Sequence, residues 1–133
     1  MTAGVDGTIR VWPAAGRERP LILRGHVGAV NAAEFSHDGT RIVSAGADGT
    51  VRVWDAAGGE TLVVLYRHRG AALSASFSPD GRSVVSTGDQ DRIARVSPCE
   101  TCGSLGAVRR LARTRADRVL NAIERTRFLP DDG

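Results

Sequence analysis

The chain contains no lysine, and all 18 basic residues among its 133 are arginine, which we read as a nucleotide-composition bias more than chemistry. No apolar run approaches the ~20 residues a helix needs to cross a bilayer, which excludes a helical membrane span. The N-terminus lacks the charged, apolar and small-residue succession of a secretory leader, so a cytoplasmic setting is expected. Cysteine is scarce, at two residues, too few for a self-contained four-ligand zinc site. There is no glycine-rich phosphate loop, paired-carboxylate constellation or metal-ligand cluster, so neither a cofactor nor catalysis is expected. What is present is ordinary for a globular domain, with 41% apolar and 25% charged residues. The net charge of +3 is unevenly placed: residues 1–103 carry 11 Arg against 11 Asp plus Glu, and the whole excess lies in 104–133.

A repeat organises the rest. Phe35, Ser36, Asp38, Gly39, Val43, Ser44 and Gly46 recur 42 positions on as Phe77, Ser78, Asp80, Gly81, Val85, Ser86 and Gly88. Asp6-Gly7-Thr8 and Arg10-Val11-Trp12 recur at the same spacing as Asp48-Gly49-Thr50 and Arg52-Val53-Trp54. Two independent anchors give one period. A repeat of about 40–45 residues with Gly-His near its start and Trp-Asp at its end marks propeller blades of four strands. The Asp-Gly pairs read as hairpin turns, whose two central residues need positive φ.

On Gly25-His26, Phe35-Ser36-His37-Asp38-Gly39 and Asp48-Gly49 through Trp54-Asp55, the sequence resembles the WD-repeat β-propeller family over roughly Gly4 to Val96. The resemblance implies a buried hydrogen-bonded network of His26, Ser44, Asp48 and Trp54. Each of these groups is costly to bury alone, and linked they satisfy one another. Ser, His and Asp could also suggest nucleophilic catalysis, but no G-x-S-x-G turn surrounds Ser44, and repetition of the set points to architecture.

The expected fold is all-β: a partial propeller of two to three four-stranded antiparallel blades across residues 1–98, with blade units 1–24, 25–66 and 67–98. The chain enters at the end of a second strand. Thr8 to Trp12 and Leu21 to Leu23 complete that partial blade. The next blade is whole, with strands Val30 to Phe35, Arg41 to Gly46, Thr50 to Asp55 and Thr61 to Tyr66. Its first strand is expected to be innermost and packed on both faces. In the last blade, strands are expected at Leu73 to Phe77, Ser83 to Gly88 and Ile93 to Val96. There His68 takes the place of His26, Asp89-Gln90-Asp91-Arg92 replaces the Asp-Gly turn with one added residue, Asp91 matches Asp48, and Ser97 falls where Trp54 would be. That blade is expected to be the least stable. WD-repeat propellers usually borrow an N-terminal strand to close the ring, so the resemblance implies the C-terminal end of a longer propeller.

Residues 99–103 form a Cys-x-x-Cys linker within a turn-rich stretch that starts at Ser97, and 104–133 are expected to form an amphipathic helical extension. Cys99 and Cys102 read as a reduced pair packed in a turn; zinc shared with other sequence and a redox pair are weaker readings. The helix carries Arg109, Arg110, Arg113, Arg118 and Arg125 away from an apolar stripe. Its acids and lack of interleaved aromatics favour a solvated face over nucleic acid or a membrane surface. A Cys-x-x-Cys linker before an Arg-rich helix resembles the C-terminal extension of bacterial WD-repeat sensor proteins, which carry a nucleotide-binding switch module.

The function expected is a non-catalytic protein-interaction scaffold, with contacts through the loop arginines Arg24, Arg67 and Arg69. Two other readings stay open. One is the regulatory tail of a larger switch ATPase or kinase. The other is a fragment that self-assembles, the remaining blades being supplied in cis or by other copies in trans.

Overall fold

A computed structural model describes residues 1–15 and 18–99. Within it the chain forms ten strands: β1 (Thr2–Ala3), β2 (Thr8–Val11), β3 (Leu21–Arg24), β4 (Val30–Phe35), β5 (Arg41–Gly46), β6 (Thr50–Asp55), β7 (Thr61–Arg67), β8 (Ala72–Phe77), β9 (Ser83–Gly88) and β10 (Ala94–Pro98). They make three antiparallel sheets, in the orders β1-β2-β3, β4-β5-β6-β7 and β10-β9-β8. The architecture is that of a partial propeller. The helical extension expected over 104–133 lies outside the described residues.

Local chemistry sets the hairpins. At the β4–β5 turn the Asp38 carboxylate accepts hydrogen bonds from the Ser36 hydroxyl (2.6 Å), the Thr40 N–H (3.1 Å) and the Thr40 hydroxyl (2.8 Å). One acid thus ties down both sides of the turn, while Gly39 supplies the positive φ of 69°. The β8–β9 turn repeats the device with Ser78, Asp80 and the Arg82 N–H.

Two apolar layers join the sheets. Ile9 and Leu23 of the first sheet pack with Val30, Ile42 and Trp54 of the second. Val43, Ala45, Val51 and Val53 on the other face of the second sheet pack with Ala72, Ala75 and Val84 of the third. At about 1.5–3 kcal/mol for each large aliphatic side chain removed from water, these layers are the main cohesive contribution. Polar links between equivalent positions add direction: the Ser76 hydroxyl donates to Glu34 Oε2 (2.6 Å), 42 positions away in the neighbouring sheet.

Two sequence expectations need correction. The strand buried at every position is β5, whereas β4 buries only Val30. The reason is that β5 lies between β4 and β6 in its own sheet and between the first and third sheets, while β4 is an edge strand. In the third sheet the last strand begins at Ala94 and runs through Pro98. Ser97 and Pro98 pair with Val84 and Ser83 instead of belonging to the linker. The longer Asp89–Arg92 turn, with Arg92 held at a φ of 50°, delays the strand by a residue. Pro98 is tolerated because it sits on the sheet edge, where its missing N–H breaks no ladder bond.

Gly39 and Gly49 have nearly the same positive φ, 69° and 79°, but different surroundings. A Cβ at Gly39 meets open space, whereas one at Gly49 would lie 2.5 Å from the Gly70 carbonyl oxygen and 2.6 Å from that of His68. Gly39→Ala is therefore expected to cost ~1–2 kcal/mol from the left-handed backbone alone. Gly49→Ala should lose a further ~1–3 kcal/mol to the overlap. Urea unfolding of the two variants checks the order.

Candidate functional site

The polar centre of the second sheet is assembled from two strands, the loop before β4 and the β5–β6 turn. His26, in the loop before β4, places Nε2 2.7 Å from the Ser44 hydroxyl of β5 and Nδ1 3.1 Å from Asp48 Oδ1. Trp54 of β6 donates its indole N–H to the same Ser44 oxygen at 2.8 Å. With that acceptor position taken, Ser44 directs its proton to His26 Nε2, and the imidazole donates from Nδ1 to Asp48. The structure thus brings His26, Ser44, Asp48 and Trp54 together.

Thr50 joins them, and the sequence reading missed it. Its hydroxyl donates to Asp48 Oδ1 (2.7 Å) and lies 3.1 Å from His26 Nδ1, while its N–H donates to the same carboxylate (2.9 Å). The signal was present in the repeated Asp-Gly-Thr triplet, since Thr8 bonds Asp6 in the same way at 2.7 Å. Also missed was Arg41, buried at 1% exposure with its guanidinium 3.3 Å from Asp55.

Electrostatics agree with a neutral imidazole beside an ionised carboxylate. Burial, the largest influence on His26, pushes its pKa below the ordinary 6.5, and the Asp48 bond only partly opposes this. Burial pushes Asp48 up, but hydrogen bonds from the Val27 N–H, Thr50 and His26 outweigh it and hold the carboxyl well below the usual range. Ser44 is wholly buried, so its hydroxyl cannot meet a substrate. The constellation holds the blade together.

The third sheet repeats the set incompletely. His68 lies 2.8 Å from the Ser86 hydroxyl and 2.7 Å from Asp91 Oδ2. Ser97 pairs with Val84 as Trp54 pairs with Ile42, so the indole donor is missing by register as well as by count. Ile93 stands in the place of Thr50, and Asp91 Oδ1 is buried with no hydrogen-bond partner. Tyr66 instead meets the His68 ring edge-on at 4.9 Å, and the Arg95 guanidinium lies 3.9 Å over the Tyr66 ring. This cation–π contact ties β10 to β7.

Arg24 ends β3, Arg67 ends β7 and Arg69 lies in the loop before β8; all three are exposed. These positions share one end of the sheets with the Asp6, Asp48 and Asp91 turns. None of the three guanidinium groups is in an ion pair among the described residues. Cys99 is buried beside the second apolar layer and is half of a disulfide, which corrects the reading of a reduced pair. Cys102 lies outside the described residues. No group of three or more His, Cys, Asp or Glu placed to hold a metal occurs among the described residues.

A family model described as WD domain, G-beta repeat, matches residues 18–55 and 59–96, more than half of the chain. No curated protein matches it.

Two outcomes follow from the network. Because His26 and Asp48 both have depressed folded-state pKa values, their stabilisation is fully present above the ordinary His value of 6.5 and is lost as pH falls. Asp48 adds its own loss below its ordinary 3.8. The urea midpoint should be flat above neutrality and fall on acidification, and His26→Asn, though less stable, should lose the part of the slope that begins just below neutrality. Ile93→Thr should give Asp91 Oδ1 a hydroxyl donor and raise stability by ~1 kcal/mol, read from the same unfolding curve.

Proposed function

The chain belongs to the WD-repeat family, and from that premise we propose that it is a non-catalytic scaffold that binds a protein partner through the loop end of its sheets. The observation that carries this reading is the unequal fate of charge at that end. Asp48 and Asp91 turn inward to His26 and His68, and Asp6 is held by Arg10 at 2.7 Å. Arg24, Arg67 and Arg69 face solvent. Asp89 is exposed at the same end but is outweighed by the three arginines, so the surface is basic on balance and a partner presenting carboxylates fits it. Arginine suits this task because its planar fork engages a carboxylate through two parallel hydrogen bonds.

The fold supports the reading in a second way. Blades held by buried networks and apolar layers give a rigid base, and loops on a rigid base are where binding residues concentrate. The buried Ser–His–Asp sets are used for support, and family membership favours binding over catalysis.

A glutamate-rich peptide is a direct probe. The chain should bind it with an affinity that falls as salt rises, since exposed charges are screened over about 8–10 Å at 0.1–0.15 M. The combined Arg24→Ala, Arg67→Ala and Arg69→Ala variant should bind about tenfold more weakly, equivalent to ~1.4 kcal/mol. Equal affinity of variant and parent in a fluorescence titration would remove these arginines from the binding surface.

A further inference from the structure

Each boundary between neighbouring sheets is built from the same two kinds of face. The leading face of the first sheet carries Ile9, Val11 and Leu23; 42 positions on, the leading face of the second carries Val51, Val53 and Leu65. The trailing faces that receive them carry Val30 and Ile42 in the second sheet and, at the same spacing, Ala72 and Val84 in the third. One interface therefore occurs twice within the chain, displaced by one repeat.

Among the described residues, the first and third sheets each carry one half of it uncovered. Val85 and Val96 pair with each other in the third sheet as Val43 and Val53 do in the second. Val43 and Val53 are fully buried, whereas Val85 is 39% and Val96 69% exposed. Leu73, 49% exposed, occupies the place of Asn31, whose side-chain amide reaches forward to the Ala72 carbonyl. Ser74, Ser76, Ser83, Thr87, Ala94 and Pro98 complete this leading face, so it carries no charge among its described strand residues.

At the other end Trp12 stands where Trp54 stands in the second sheet. It is 52% exposed against 1%, and its indole donates to the Thr2 hydroxyl (3.3 Å) as Trp54 donates to Ser44. Ile22 lies one strand over, 38% exposed.

We propose that a second copy of this chain covers these faces head to tail, the leading face of each copy's third sheet taking the trailing face, with Trp12, of the other's first. The contact continues an interface that the chain already makes twice. Closure follows from number. The three sheets of the described residues give six for two copies, inside the span of about four to eight blades over which propellers close. The head-to-tail contact, used twice, is satisfied at both ends and stops at a dimer. Six sheets in a ring cover Trp12, Ile22, Val85 and Val96, and Arg10 beside Trp12 is held by Asp6 as Arg52 beside Trp54 is held by Asp48.

Sedimentation equilibrium of the intact chain tests this. A species of twice the mass of one chain is expected. Val96→Glu and Trp12→Glu should each raise the dissociation constant at least tenfold, because each spoils both contacts of the ring. An equimolar mixture of the two should regain dimer, since one contact then joins an intact Val96 face to an intact Trp12 face. Val5→Glu, at an 89% exposed turn position outside both faces, should leave association unchanged. A wild-type mass of one chain at high concentration overturns the proposal, as does a dimer that Trp12→Glu leaves intact, which would join third sheet to third sheet. Failure of the mixture to complement also overturns it when both variants keep the parent's far-ultraviolet circular dichroism spectrum, which excludes simple unfolding. A monomer that still binds the glutamate-rich peptide through its arginines would sink this proposal and leave the scaffold reading standing.

Discussion

A sheet with apolar side chains on both faces cannot hide them alone, and everything else in this protein follows from that limit. The second sheet meets it by sitting between two others. Ile42 and Trp54 go to one side, Val43, Val51 and Val53 to the other, and each is at most 1% exposed. Burial on both faces accounts for β5 being covered along its whole length, and for why a strand with no charged residue except Arg41 is tolerated there. Arg41 is itself compensated by Asp55 at the opposing register position. The first and third sheets have one neighbour each among the described residues, and their second faces carry the exposed Trp12, Val85 and Val96.

Polar chemistry inside such a stack has to be self-contained. His26, Ser44, Asp48, Thr50 and Trp54 satisfy one another without solvent, which converts a set of costly buried groups into a clamp joining a loop to two strands. Comparison of the two copies within the chain shows what each member contributes. Where Ser97 and Ile93 replace Trp and Thr, the His–Ser–Asp core persists at 2.7–2.8 Å, but one carboxylate oxygen is left without a donor. The imidazole and hydroxyl are thus the centre of the clamp, and the indole and threonine complete it. The same inward turning of carboxylates leaves the loop end of the sheets basic, which links the internal network to the surface on which binding is proposed.

Much of this was legible beforehand, for a physical reason. Hairpin turns and strand alternation are local, so Asp48-Gly49, Ser36 through Gly39 and the four strands of the second sheet could be placed within a residue. The alignment of Ser97 with Trp54 was likewise legible, because one added residue in the Asp89–Arg92 turn shifts everything after it by one, whereas its pairing with Val84 as part of the strand was not. Thr50 escaped notice because a threonine after Asp-Gly reads equally well as a strand residue; only its approach to both His26 and Asp48 reveals a member of the network. The burial of β5 over β4 depends on which strands have neighbours on which side. That is a property of sheet stacking and has no local signature.

The sequence by itself determined the repeat, its period, its turns and the identity of the residues that must be buried together, since these depend on composition and spacing over a few tens of residues. Tertiary structure alone decided which equivalent positions end up covered. Trp12 and Trp54 share one motif, and so do Val53 and Val96, yet the first of each pair and the second meet different fates. Burial is set by what lies against a face, and that neighbour is 42 residues away or on another sheet altogether.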